Sequence, residues 1–549
     1  MTRRPALALM LLAFVLFYLV PLPFHGLWIP DETRYAQISQ EMLLSGRWAT
    51  PHFMGLRYFE KPAGGYWMIA AGQALFGQNL FGVRIASALS LGLSVVLAWV
   101  VSGALWRDRH TQWVCAVVYM SLSVIVAGAG YANLDPLFTL WVNASFVALW
   151  YAISATRSRP RRVAWVLLGV ACALGFLTKG FLALLLPMLV AVPVMLRQRR
   201  ALELMRLGLL AVVAALVVAL PWALVVHSQE ADYWNYFFWD EHIRRFAGDD
   251  AQHAEPWYFY LPIMVLASLP WLLLLPHGLF QAWRARQQPA MAFVGLWLLL
   301  PLALFSVARG KLPAYILPCL LPMALLIGHG LRHCLDLRRT GMLRSNAGLN
   351  ALMGVLGLIA LAYLQARRPL YQDEPQNLGL LVLALGGWTL ANGLAVWRPL
   401  RLWLSPAIGM GLAMALIPAA LPERVVNNKT PDVFIAEHAE ELAQSHSLLS
   451  NELGTASALA WHTRRPQVTL YNTSGETRYG LKYPDAQGRW VRPQEVVAWM
   501  QQARLAGSVA VVMRVKGKDE REELALLPPD ARRYEAGNIV ILLYDAVVP

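Results

Sequence analysis

Charge is what this chain has least of. Acidic and basic residues make up only 15% of its 549 residues, while 57% are hydrophobic and the mean hydropathy is positive. A soluble domain carries about 25% charged residues, so the composition excludes a soluble enzyme and defines a polytopic membrane protein. Cysteine is nearly absent. Cys115, Cys172, Cys319 and Cys334 lie in or beside apolar runs without metal-site spacing, which argues against disulfides and against a cysteine-built metal site. No nucleotide-binding glycine-rich loop, internal repeat or low-complexity tract stands out.

What is abundant is long apolar sequence. A membrane span needs roughly 17–25 apolar residues, and about thirteen such segments can be read. They cover residues 6–24, 81–106, 113–128, 136–153, 163–177, 181–196, 207–226, 257–275, 292–307, 312–331, 349–364, 378–396 and 402–420. The pair meeting at Thr178-Lys179-Gly180 is the easiest to mistake for one long helix. The first segment resembles a signal peptide but lacks a small-x-small cleavage site before Trp28, so it reads as an uncleaved helix.

Basic residues set the expected orientation. With Arg3 and Arg4 inside, every second loop is arginine-rich: Arg107 and Arg109, then Arg157–Arg162, Arg197–Arg206, Arg284 and Arg286, Arg332–Arg344, and Arg398 and Arg401. That bias places these loops in the cytoplasm and the loop after the first span outside it. It also accounts for much of the +14 net charge, so anchoring at anionic headgroups outweighs nucleic-acid binding as its meaning.

After Ala420 the apolar runs stop. Helical patterning over 431–445 and 493–505, with strand-like runs at 467–471, 508–513 and 538–543, predicts a soluble α/β domain over residues 421–549, following a transmembrane part over 1–420. An odd number of spans puts that domain on the side of the first loop. It reads as a lid or scaffold.

The first loop holds the densest chemistry in the chain. Pro30-Asp31-Glu32-Thr33-Arg34-Tyr35 is followed by Arg57-Tyr58-Phe59-Glu60-Lys61-Pro62. Charges beside a bilayer are costly without partners, so this loop is expected to meet a ligand. Two further loops fall on the same face: an aromatic stretch from Tyr233 to Trp239 leading into Asp240-Glu241-His242-Ile243-Arg244-Arg245, suited to an interfacial amphipathic helix, and a tight turn with Arg309, Lys311 and Tyr315.

The order Asp-Glu-x-x-Arg-Tyr, then Tyr-Phe-Glu-Lys-Pro, resembles the membrane glycosyltransferases that use a polyprenyl-phosphate sugar donor. These include the protein O-mannosyltransferases and, nearest to this pattern, the bacterial 4-amino-4-deoxy-L-arabinose lipid A transferases. The resemblance covers nearly the whole chain and is strongest in residues 6–65 and 237–246. It implies the type C glycosyltransferase fold in a Gram-negative inner membrane, with the active site and C-terminal domain periplasmic. The implied reaction moves 4-amino-4-deoxy-L-arabinose from undecaprenyl phosphate to a lipid A phosphate, which lowers surface anionic charge and confers resistance to polymyxin and cationic peptides. The same motifs serve transferases of other sugars and acceptors.

Candidate residues follow. Asp31 is either a helix N-cap or the functional aspartate that the family carries here. Asp135, in Asn133-Leu134-Asp135-Pro136, either starts a helix or is the second outer-loop carboxylate the resemblance implies. The resemblance assigns Lys61 to the donor phosphate, while Arg57, Arg245, Arg309 and Lys311 are alternatives that equally suit headgroup anchoring. Cations are needed there because the lipid phosphate leaves with negative charge. Arg34, Tyr58 and Tyr315 are candidates for positioning sugar or phosphate; Tyr315 also suits an interface anchor. Glu60 and His242 could share a zinc ion, or Glu60 could make a structural hydrogen bond, and no cofactor is required for transfer from a lipid phosphate. The expected partners are the donor lipid, lipid A and membrane lipids, with a monomer as the working form. A lipid-linked-sugar flippase is the non-enzymatic rival, but it would carry mid-span charges and repeat symmetry.

Overall fold

Apolar helices dominate the computed structural model, which describes residues 3–244 and 254–547. Among the described residues, eight helices are long and apolar enough to cross a membrane, or up to ten if two bent pairs are each counted as one span. Two shorter apolar helices, Pro5–Leu19 and Leu182–Arg197, accompany them. The chain divides into two compact units: residues 1–22 with 85–420, and residues 23–84 with 421–549.

The first unit is helical. Its junction at Lys179 is a real break, because Gly180 takes φ +97° and ends the helix Ser158–Lys179 before Leu182–Arg197 begins. Two expected spans are broken. Residues 113–128 fall in Arg109–Ser121 and Ser123–Ala129, bent by 62°. The expected continuous span 257–275 is instead the helix Tyr260–Ala267, a turn, and the helix Leu274–Arg284. Pro270 brings no N–H to a helix, and backbone freed in a membrane needs partners within the protein. Asn346 and Asn350 supply them. Both donate to the Pro270 carbonyl, at 2.9 and 2.7 Å, and Asn346 accepts from the Leu273 amide at 3.1 Å. The Ser123 amide in turn donates to the Leu269 carbonyl at 2.9 Å, so the two breaks satisfy each other.

The aromatic stretch is π-helical over Asn235–Arg244. Tyr233 and Phe237 are buried, against Trp222 and against Phe176 and Phe181 respectively, while Phe238 and Trp239 stay exposed.

The second unit joins the first loop to the C-terminal segment. The loop supplies the helices Asp31–Ser45 and Gly64–Phe76 around a two-stranded antiparallel hairpin, β1 (His52–Phe53) and β2 (Leu56–Arg57). The segment supplies a six-stranded sheet from β3 (Ser447–Ser450), β4 (Val468–Tyr471), β5 (Trp490–Val491), β6 (Val509–Arg514), β7 (Arg532–Ala536) and β8 (Ile539–Tyr544), in the order β5-β4-β3-β6-β8-β7. The strands β3 to β6 are parallel, and β8 and β7 are antiparallel at one side. Every residue of β6 and β8 is buried, as continuous apolar runs in a covered sheet require. The expected helix over 431–445 is two, Pro431–Glu437 and Ala439–Gln444.

Loop and segment are stitched together by specific bonds. Ile29 donates to the Lys429 carbonyl at 3.0 Å, Gln40 to the Trp461 carbonyl at 2.9 Å, and Trp461 Nε1 to Gln73 at 3.2 Å. Residues 421–549 therefore do not stand apart from the loop that carries the charged motifs.

Candidate active site

The helix Asp31–Ser45 has Pro30, not Asp31, at its capping position, and Pro30 makes no side-chain cap. Asp31 and Glu32 fill the first turn, where negative charge complements the helix dipole. The two carboxylates then part. Glu32 is fully buried and takes both Nε and Nη2 of Arg84 at 2.8 Å, an arginine whose Nη1 donates to the His25 carbonyl. That pair fixes the start of the helix. Asp31 stays half-buried and accepts from Arg34 Nη2, one turn on.

Arg34 is the centre of the cluster. It is 8% exposed, its other terminal nitrogen donates to Glu476, and its guanidinium lies 5.0 Å from the Tyr35 ring. Burial opposes its charge, but Tyr58, Tyr35, Glu476 and Asp31 outweigh that and hold the proton more firmly. Tyr58 is buried, with its hydroxyl 2.9 Å from Glu476 and 3.1 Å from Glu60. A phenol has one proton, so it serves one carboxylate at a time. Burial pushes the Tyr58 phenol well up. Lys61 is half-buried, and its ammonium donates to the Glu60 carbonyl at 3.0 Å.

Glu476 was not among the sequence candidates. It stands in the 3-10 turn Gly475–Arg478, shortly after β4. Burial raises its carboxyl, but Arg34, Tyr58 and Lys61 together pull it below the ordinary carboxylate range. Its charge complements both motifs of the first loop.

Arg57 is drawn elsewhere. The contacts of this extended run alternate, as successive side chains of extended backbone must. Arg57 reaches Asp485 at 2.7 and 2.9 Å and lies 4.2 Å from the Tyr483 ring, and Phe59 packs on Tyr479 and Tyr483. Tyr58 turns the other way, to Glu476 and to Glu60.

A second cluster belongs to the helical unit. Asn133 caps the helix Leu134–Ser154 by accepting from the Asp135 amide at 3.0 Å, so Asp135 is not the cap. Its carboxylate accepts from Lys179, whose ammonium lies 4.4 Å from the Tyr315 ring. Asp135 and Lys179 are each largely buried. Lys179 was noted from sequence only as a helix break; a lysine ending an apolar helix was the available signal. Lys311 is 3% exposed and donates to the Glu255 carbonyl at 2.6 Å, beside the bridge between Ala254 and Gly310. The Arg309 carbonyl accepts from the Glu255 amide at 3.3 Å. Arg245 and the side chain of His242 lie outside the described residues. Among the described residues no group of three or more His, Cys, Asp or Glu could hold a metal ion. The Glu60 carboxylate accepts from the Tyr58 hydroxyl.

An apolar multi-span fold, with a charged loop placing a lysine, a buried arginine and carboxylates around tyrosines, defines a membrane glycosyltransferase of the lipid-linked-sugar class. Residues 6–237 match the family model of dolichyl-phosphate-mannose-protein mannosyltransferase, and residues 426–543 match that of the arabinosyl transferase ArnT C-terminal domain. The chain is 60% identical over its whole length to undecaprenyl phosphate-alpha-4-amino-4-deoxy-L-arabinose arabinosyl transferase 1 of Pseudomonas fluorescens, and 59% identical to the corresponding transferase of Pseudomonas aeruginosa, with 100% of each chain covered. It belongs to the undecaprenyl phosphate-aminoarabinose arabinosyl transferase family. The crystal structure of ArnT from Cupriavidus metallidurans bound to undecaprenyl phosphate shares the fold, with a TM-score of 0.83 over 99% of this chain and 98% of that one, at 23% identity.

Proposed function

We propose that this protein transfers 4-amino-4-deoxy-L-arabinose from undecaprenyl phosphate to a phosphate of lipid A at the periplasmic face of the inner membrane, conferring polymyxin and cationic-peptide resistance. The observation that carries this is the full-length match, at 60% identity, to a transferase named for that donor. The charged loop supports it, because carboxylates at Glu60 and Glu476 beside Tyr58 suit a sugar bearing an ammonium group. The orientation rests on the arginine-rich alternate loops.

The reaction is a single displacement with inversion. An oxygen of the acceptor phosphate forms a bond to the anomeric carbon, and the bond from that carbon to the donor phosphate breaks, its electron pair leaving with the lipid phosphate. An anionic acceptor needs no proton removed, so no strong base is required. Lys61 takes the charge developing on the leaving phosphate. Asp31, held by Arg34, faces the positive charge that builds on the sugar, and Asp135 with Lys179 and Tyr315 braces the second loop. In this division residues 1–420 carry the transmembrane part and catalytic loops, and residues 421–549 form the α/β domain that completes the site through Glu476.

Mass spectrometry of lipid A from cells with and without the protein tests the reading. A mass increase of one aminopentose per modified phosphate is expected. Unchanged lipid A under inducing conditions points instead to a polyprenyl-phosphate-sugar transferase with another sugar or acceptor.

A further inference from the structure

Tyr66 opens the helix Gly64–Phe76 behind two glycines and is completely buried. Its hydroxyl has no hydrogen-bond partner. An orphaned buried hydroxyl is destabilising, and phenylalanine would fill the same volume without that penalty. Tyr66 borders the charged cluster: its ring lies 5.9 Å from that of Tyr35, and burial, the largest influence on the phenol, is joined by Tyr35, Arg34, Glu60 and Glu476. A second buried donor there, Arg34 Nε, also has no partner. Two such donors in one cluster mark a place for a ligand rich in hydrogen-bonding oxygens.

We propose that Tyr66 is a substrate-binding residue whose hydroxyl hydrogen-bonds to a ring hydroxyl of the transferred sugar, with Arg34 Nε as a neighbouring donor. A phosphate is the poorer occupant, because two carboxylates, Glu60 and Glu476, act on the phenol beside the single cation Arg34. A sugar hydroxyl is neutral and both donates and accepts, as the phenol does. This inference rests on the sugar-transfer reading above.

The test is Tyr66→Phe in the full-length protein in lipid nanodiscs. Donor KM should rise about five- to tenfold, the scale of one neutral hydrogen bond, with kcat within about twofold. The thermal midpoint should stay the same or rise, and affinity for bare undecaprenyl phosphate should be unchanged. An unchanged donor KM overturns the proposal. So does an equal loss of affinity for the bare lipid, or a lowered midpoint, either of which makes Tyr66 a packing residue. Failure of the underlying reading looks different: the wild-type protein then transfers nothing from the aminoarabinose donor. The same comparison run with a polyprenyl-phosphate mannose then decides whether Tyr66 binds sugar.

Discussion

Replacing Asp31 by asparagine separates chemistry from scaffolding. Pro30 holds the capping position, so the amide has no cap to preserve. What changes is charge: Arg34 keeps Glu476 as counter-charge and loses Asp31. The side chains of Asp31 and Arg34 are 32% and 10% exposed, between a surface pair worth about 0.2–1 kcal/mol and a buried pair whose rupture costs about 3–5 kcal/mol. The amide oxygen still accepts from Arg34, so the loss is nearer the lower figure, about 1 kcal/mol. The helix N-terminus gives up about 0.3–1 kcal/mol more. The expected stability change is therefore about 1–2 kcal/mol.

Turnover should respond far more. A preorganised group facing charge that appears only in the transition state is worth about two to three orders of magnitude in kcat. Transfer kinetics and the thermal midpoint, measured on one purified preparation, read the two effects separately. A cycle with Arg34→Gln completes the assay: if Asp31 acts on substrate, Asp31→Asn still lowers kcat in the Arg34→Gln background. The reasoning is refuted if kcat stays within about threefold of wild type while the midpoint falls, because Asp31 then only neutralises Arg34.

Three further outcomes follow from the same geometry. Lys61→Ala should abolish transfer with normal membrane insertion, and full activity in that variant would remove the lysine from the mechanism. Asp135→Asn should lower kcat less than Asp31→Asn and also destabilise the protein, because Lys179 is left largely buried without its partner; adding Lys179→Gln should restore the thermal midpoint, since losing both charges is milder than stranding one, and a midpoint that stays low contradicts the pairing. Asp432 accepts from the Leu27 amide at 2.8 Å, and burial, with Glu32 adding to it, pushes its carboxyl up to about 7. The unfolded chain releases this proton near pH 4 and the folded chain near 7, so the group's contribution to stability falls as pH rises between those values. Asp432→Asn should flatten that part of the thermal-midpoint profile, and a slope equal to that of the wild type would show that Asp432 does not titrate there.

How much of this was legible depends on the range of each interaction. Apolar runs and loop arginines are local patterns, so the multi-span class and the first loop could be read directly. The broken span at Pro270 could not, because the residues that make it tolerable, Asn346 and Asn350, lie in a distant helix and look unremarkable on an apolar background. Asp135 could be picked out from an Asp-Pro step, but its partner Lys179 depends on tertiary packing. Arg34 was visible as a candidate ligand contact; that it is held between two carboxylates was not.

Glu476 is the clearest case, because Gly475-Glu476-Thr477 carries no local mark and its partner Arg34 is 442 positions away. A topological rule accounts for its position. Open α/β sheets gather their ligands at the carboxyl ends of parallel strands. Here β4 ends at Tyr471 and the Glu476 turn follows, and β3 ends at Ser450 and leads into Glu452 and Gly454. The same edge receives the start of the first loop: a Cβ added at Gly454 would lie 2.7 Å from Ile29, two residues before Asp31. The glycine lets the loop approach closely enough that the segment carrying Asp31 and Arg34 and the turn carrying Glu476 share one edge of the sheet. The C-terminal sheet therefore does more than cover or brace the site. Its strand order places one of the charges that hold Arg34.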